Sequence, residues 1–169
     1  MASSDVVELI LKDHRTMEDL FRLMRSSEAD RAKALGDFAD LLIAHGEAEE
    51  TVVYPALKRY KPIDDEEIEH GSEEHAEGNK ALLELLQVDE VGGEDWDEKL
   101  EELVGAVNHH FDEEERTILN SARENVAGSR RDELGEAFLT ERAARLAVGC
   151  GSVENVRRIV RREEREQSE

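Results

Sequence analysis

One spaced set of histidines and glutamates constrains this chain more than any other feature, and it occurs twice. His14 is followed by His45 with Glu49, and His75 is followed by His110 with Glu114. Residues three and four apart share one face of an α-helix. The apolar residues around the set keep that spacing: Val6, Ile10, His14, Met17, Phe21 in one stretch, Phe38, Leu42, His45, Glu49, Val52 in a second. Ile68, Gly71, His75, Gly78, Leu82 and Leu100, Leu103, Val107, His110, Glu114, Ile118 form the third and fourth. All six polar side chains therefore stand where a helix turns its apolar stripe inward.

The stripes and their punctuation predict four main helices. The first runs from about Asp5 to Arg25, capped by Ser4 or Asp5, and the second from about Ala29 to Tyr60 with a kink or end at Pro55. Pro62 closes that element, Asp64 or Asp65 caps the third, which reaches about Gln87, and the fourth spans about Asp95 to Arg123. Glycines at 71 and 78 leave room beside His75 for close packing or a ligand. His14 and His75 are offset by 61 residues and His45 and His110 by 65, a difference of about one helical turn. Each half is thus a helical hairpin, and two hairpins make an all-α, up-down four-helix bundle over residues 1–125. Residues 126–169 read as a C-terminal helical extension: a fifth helix from Gly128, a break at GCGS, and an amphipathic segment around Val153, Val156, Ile159 and Val160. That last segment suits docking, a dimer contact or fraying.

Composition narrows the partners. Forty-three acidic residues against 22 basic give a net charge of −21, which repels nucleic acid and anionic membranes. Neither is expected as a partner, and a monomer or weak homodimer is. The single cysteine, Cys150, excludes an intrachain disulfide and fits a reducing cytoplasm. The N-terminal stretch lacks the charge and apolar pattern of a signal peptide or membrane span.

Burying an imidazole or carboxylate without a partner costs several kcal/mol. Six such groups converging on one bundle interior need a shared partner, and metal ions satisfy both ligand types. Four nitrogens and two carboxylates exceed one tetrahedral zinc and divide between two ions, two histidines each, with both glutamates placed to bridge. Imidazole with carboxylate suits iron, then manganese or zinc. Other residues carry blander readings. His70 lies among glutamates as a solvated residue, and His109, with Glu113 as its mate, is the rival of His110 for the interior. Tyr54 is off the Glu49 stripe in a straight helix and packs, unless Pro55 swings it to the metal as a ligand or hydrogen-bond donor. Glu47, Glu50, Glu113 and Glu115 read as surface charge, and Cys150 as an incidental thiol.

The pieces KDHRTMEDLF, LIAHGEAEETVVYPAL, EEHAEGNKALLELL and VNHHFDEEERTIL resemble the hemerythrin-like (HHE cation-binding) domain family over about residues 5–123. The resemblance implies a non-haem di-iron centre with a bridging oxo or hydroxo group, held by His14, His45, Glu49, His75, His110 and Glu114. Oxygen-carrying members have a fifth histidine and an aspartate where Glu114 stands. This chain has neither, which points away from reversible oxygen transport and toward peroxide, O2 or NO as small-molecule ligands. The expected function is a catalase- or peroxidase-like, or NO-handling, di-iron oxidoreductase. A sensor or store of O2, NO or iron without turnover is the second expectation, and a helical interaction protein with structural histidines the third.

Overall fold

A computed structural model describes residues 3–168. Eight α-helices account for most of them, and no strand occurs among the described residues. They are α1 Val6–Arg25, α2 Arg31–Ala48, α3 Tyr54–Leu57, α4 Asp65–Leu86, α5 Glu94–Glu114, α6 Asn120–Asn125, α7 Gly128–Ala147 and α8 Val153–Gln167. Side chains set most of the long helices' starts. Asp5 accepts from Val7 N–H, Asp30 from Lys33 N–H, Asp64 from Glu66 N–H and Ser152 from Asn155 N–H, each satisfying a donor that the first helical turn leaves free.

The α1–α2 and α4–α5 hairpins pack together as the four-helix bundle, as the stripes predict. The second and fourth helices differ from expectation in their continuity. Neither runs on as unbroken α-helix past its inward glutamate. Each passes instead through one π-helical turn, Glu49–Val53 after α2 and Glu115–Leu119 after α5, and then resumes as α3 or α6. Pro55 falls in the first turn of α3, where its missing N–H matters least. A π turn inserts one residue into the helical register, and such turns concentrate at functional sites.

Two apolar clusters fill the bundle. One gathers Met17, Phe21, Phe38, Leu82, Trp96 and Leu103; the other gathers Val7, Ile10, Tyr54, Leu57, Ile68 and Ile118. The histidine–glutamate layer lies between them along each stripe: Ile10–His14–Met17 belongs on α1, Ile68–His75–Leu82 on α4. The last two helices complete both clusters. α7 lies against α1 and α2 and buries Leu134 and Phe138, while α8 lies against α4 and buries Val156, Ile159 and Val160. Each such side chain contributes about 1.5–3 kcal/mol on leaving water, so α8 is docked on its own chain. Two glycines permit the docking. A Cβ at Gly135 would collide with the Ser4 carbonyl oxygen, and one at Gly151 with the Asp40 backbone nitrogen.

Candidate metal centre

His14, His45, Glu49, His75, His110 and Glu114 meet in the bundle interior, all buried. They separate into two overlapping groups. One ligand atom each from His14, His45 and Glu114 lie within 4.8 Å of one another, as do atoms of Glu49, His75, His110 and Glu114. Glu49 Oε1 is 2.9 Å from His45 Nε2 and 3.2 Å from His75 Nε2, so it reaches both groups. Glu114 does the same with separate oxygens, Oε1 3.2 Å from His14 Nε2 and Oε2 3.6 Å from His110 Nε2. Ligand atoms about 2.1 Å from a common ion stand roughly 3.0–3.4 Å apart at octahedral or tetrahedral angles; two of these four spacings fall in that range and the other two lie just outside it.

The hydrogen bonding explains which ring nitrogen is free. His14 Nδ1 pairs with Glu115 at 2.9 Å, His45 Nδ1 with Asp13 at 2.8 Å, His75 Nδ1 with Glu50 at 2.9 Å and His110 Nδ1 with Glu74 at 3.2 Å. A carboxylate only accepts, so each Nδ1 donates and every Nε2 is left facing the centre. His14, His45 and His110 Nε2, with Glu49 Oε2 and Glu114 Oε1, are fully buried and have no hydrogen-bond partner. Such orphaned atoms are rare in folded proteins. Carboxylate–imidazole pairs of this kind orient metal-ligating histidines and make them better donors. The donor set and its orphaned atoms therefore fit a pair of cations.

The rings are also fixed by stacking. His14 lies on Phe111 with centroids 3.9 Å apart, His75 lies parallel to Tyr54 at 5.4 Å, and His45 meets Phe138 edge-on at 5.5 Å. The electrostatics favour positive charge here. Burial opposes an imidazolium at His45, yet Glu49 and Asp13 together raise its pKa to about 10. His14 and His75 are raised against burial in the same way. Burial by itself would push Glu49 up, but His45 and His75 hold it well below the usual carboxylate range.

The four supporting carboxylates carry no strong sequence signal, because an acid beside an acid on a helix looks solvated. Glu50 and Glu115 are not free surface charges: each holds a histidine across the hairpin boundary. Glu47 is buried and bound by Arg145 and Arg162. Asp13 and Glu74 each precede a lone histidine, and Glu50 and Glu115 each follow an inward glutamate. That doubled pattern was the available signal. Glu113 remains at the surface against Arg116.

Tyr54 faces the centre because of the π turn, whose wider loop bonds Tyr54 N–H to the Glu49 carbonyl and carries residue 54 over residue 49. Its hydroxyl donates to Glu114 Oε2. Burial, then Glu114 and Glu49, push the phenol well above its usual range, so it stays protonated. Gly71 makes room for it, a Cβ there standing only 2.9 Å from Tyr54 Oη. His110 takes the interior position, whereas His109 is exposed.

A family model for the hemerythrin HHE cation binding domain matches residues 5–122. The chain belongs to this family. Metal binding in hemerythrin HHE domains agrees with the histidine–glutamate cluster, and the match ends within α6, before α7 and α8. A curated relative, a DNA nickase of Nostoc sp. (strain PCC 7120), is 25% identical over 156 residues, covering 87% of this chain and 43% of the relative. The chain thus spans less than half the length of that relative. No solved structure matches. No helix among the described residues is long and apolar enough to cross a membrane.

Proposed function

We propose that this hemerythrin-like chain holds a pair of iron ions and reduces a small oxidant, peroxide, O2 or NO, in a catalase- or peroxidase-like or NO-handling reaction. The orphaned inward nitrogens and oxygens carry this reading, because a shared pair of cations satisfies them together. His14 and His45 would hold one ion and His75 and His110 the other, with Glu49 and Glu114 shared. Iron bound there would supply two electrons, one from each ion, and a second peroxide leaving as O2, or an external reductant, would return them. Carboxylates behind all four imidazoles strengthen them as donors, which favours the more oxidised metal.

Access argues for a small partner. A narrow cavity of about 20 Å³ is lined by His45, His75 and His110 with Leu42, Val107 and Phe111. That volume admits one water-sized molecule, and the apolar wall suits a neutral one. Tyr54 keeps its proton and holds Glu114 Oε2, while the two apolar clusters exclude bulk water. DNA cleavage, named for the Nostoc relative, is not extended to this chain, whose charge of −21 repels phosphate.

Sensing or storage without turnover is the second reading. It is favoured by the ion pair from α7 to the support of His45, which links the centre to the segment beyond the family match. Metal analysis of protein purified without added iron, followed by oxygen evolution on adding peroxide, tests both. Two irons with gas evolution supports turnover, two irons without it supports the sensor, and a chain that retains no metal overturns both.

A further inference from the structure

Outside the centre, His70 on α4 and His109 on α5 face one another across Glu74. We propose that these three residues form a peripheral site for a divalent transition-metal ion, where cations first bind on the way to the centre. The site itself stands without the iron reading; its part in delivery rests on it.

Glu74 is only 4% exposed. Its Oε1 accepts from His110 Nδ1, but its Oε2 is buried and has no hydrogen-bond partner. That orphaned oxygen is 3.0 Å from His109 Nε2 and 3.5 Å from His70 Nε2. At neither contact is the geometry that of a hydrogen bond. One ligand atom from each residue lies within 4.8 Å of the others. Two ligands about 2.05 Å from a tetrahedral ion stand about 3.3 Å apart, between the two observed spacings. Two imidazoles and one carboxylate suit zinc or ferrous iron over calcium or magnesium, which take oxygen ligands. Both histidines are more than half exposed, so an ion held there keeps water ligands and exchanges readily.

The surroundings give the site a direction. Two of its residues, His70 and Glu74, line a pocket of about 350 Å³ that is also walled by Glu66, Glu67, Glu113 and the buried Glu114. An acidic cleft concentrates cations and raises their arrival rate. An ion at the outer site shares the Glu74 carboxylate with the ring of His110, whose Nε2 faces the centre. The pocket therefore joins a selective outer position to one of the shared inner carboxylates.

The test uses the full chain and a His70→Ala/His109→Ala variant, both substitutions being at exposed positions. Iron-loaded protein is titrated with Zn2+ by calorimetry and the iron is assayed afterwards. The wild type should bind one Zn2+ with its iron retained, and the double variant none. In anaerobic stopped-flow mixing with Fe2+, the metal-free variant should load its centre about ten-fold more slowly and reach the same final content there. Equal Zn2+ binding by both proteins, or release of one iron per Zn2+ taken up, overturns the site. Equal loading rates overturn its role in delivery. A protein that takes up Zn2+ through His70 and His109 but never holds iron would leave the site standing and defeat the central reading instead.

Discussion

Arg142 on α7 grips both oxygens of Asp13 on α1, Nε to Oδ2 at 2.9 Å and Nη2 to Oδ1 at 2.8 Å. The same Oδ2 accepts from His45 Nδ1. A residue beyond the family match thus positions the carboxylate that positions an inward imidazole. Arg142→Met should destabilise the fold by about 2 kcal/mol, since it leaves Asp13 Oδ1 buried without its donor. Arg142→Lys should recover part of that, lacking the planar fork. Urea unfolding checks both; equal stability of all three proteins would show the pair to be idle.

Tyr54→Phe should keep the fold while lowering metal affinity about 10- to 100-fold, because Glu114 Oε2 loses its donor. Competition against a chelator of known affinity measures this. Unchanged affinity would make the hydroxyl a packing group.

Gly71→Ala should cost about 1–3 kcal/mol, its methyl meeting Tyr54 Oη at 2.9 Å and Ile118 Cδ1 at 3.2 Å. Adding Tyr54→Phe removes the nearer obstacle. The double variant should therefore be more stable than the sum of the single changes allows. Strict additivity in thermal melts would contradict the contact.

The metal-free and metal-loaded proteins should diverge with pH. The His45 pKa is about 10 in the fold, against an ordinary value of 6.5. A raised imidazole stabilises the fold in full below about pH 6.5 and loses that contribution as pH rises through about 10. Metal binding needs the unprotonated ring and strengthens over the same window. The Tm gap between loaded and chelated protein should widen from pH 6.5 to 10. Calorimetry showing a constant or shrinking gap would sink the assignment of His45.

His110→Ala should lower metal content at the centre, whereas His109→Ala, after loosely held metal is washed out, should leave the content of the centre unchanged. Elemental analysis separates them, and the reverse result would exchange the two neighbours.

The bundle was legible because its stripes are regular. Ile10, His14 and Met17, or Val107, His110 and Glu114, state both helix and inward face, and Asp5 and Asp64 mark where two of the helices start. The π turns were not legible: nothing in EETVV or ERTIL distinguishes a π turn from an α turn, since the inserted residue is settled by what the glutamates face. Tyr54 was misaligned with its stripe for that reason. The supporting acids were hidden by abundance. In a chain with 43 acidic residues, Glu50 beside Glu49 is unremarkable until His75 is seen against it. Arg142, Arg145 and Arg162 lay in a segment whose partners only the packing of α7 and α8 reveals.

Each of the two inward groups takes its paired histidines from one hairpin and a glutamate from the other. No hairpin owns a complete set. Any ion seated there is a strap between the two halves of the chain, so stripping it would loosen the seam along which α1–α2 meets α4–α5. Demetallation of this protein is then a change in how its halves hold together, and slow metal exchange would report the rate at which that seam opens.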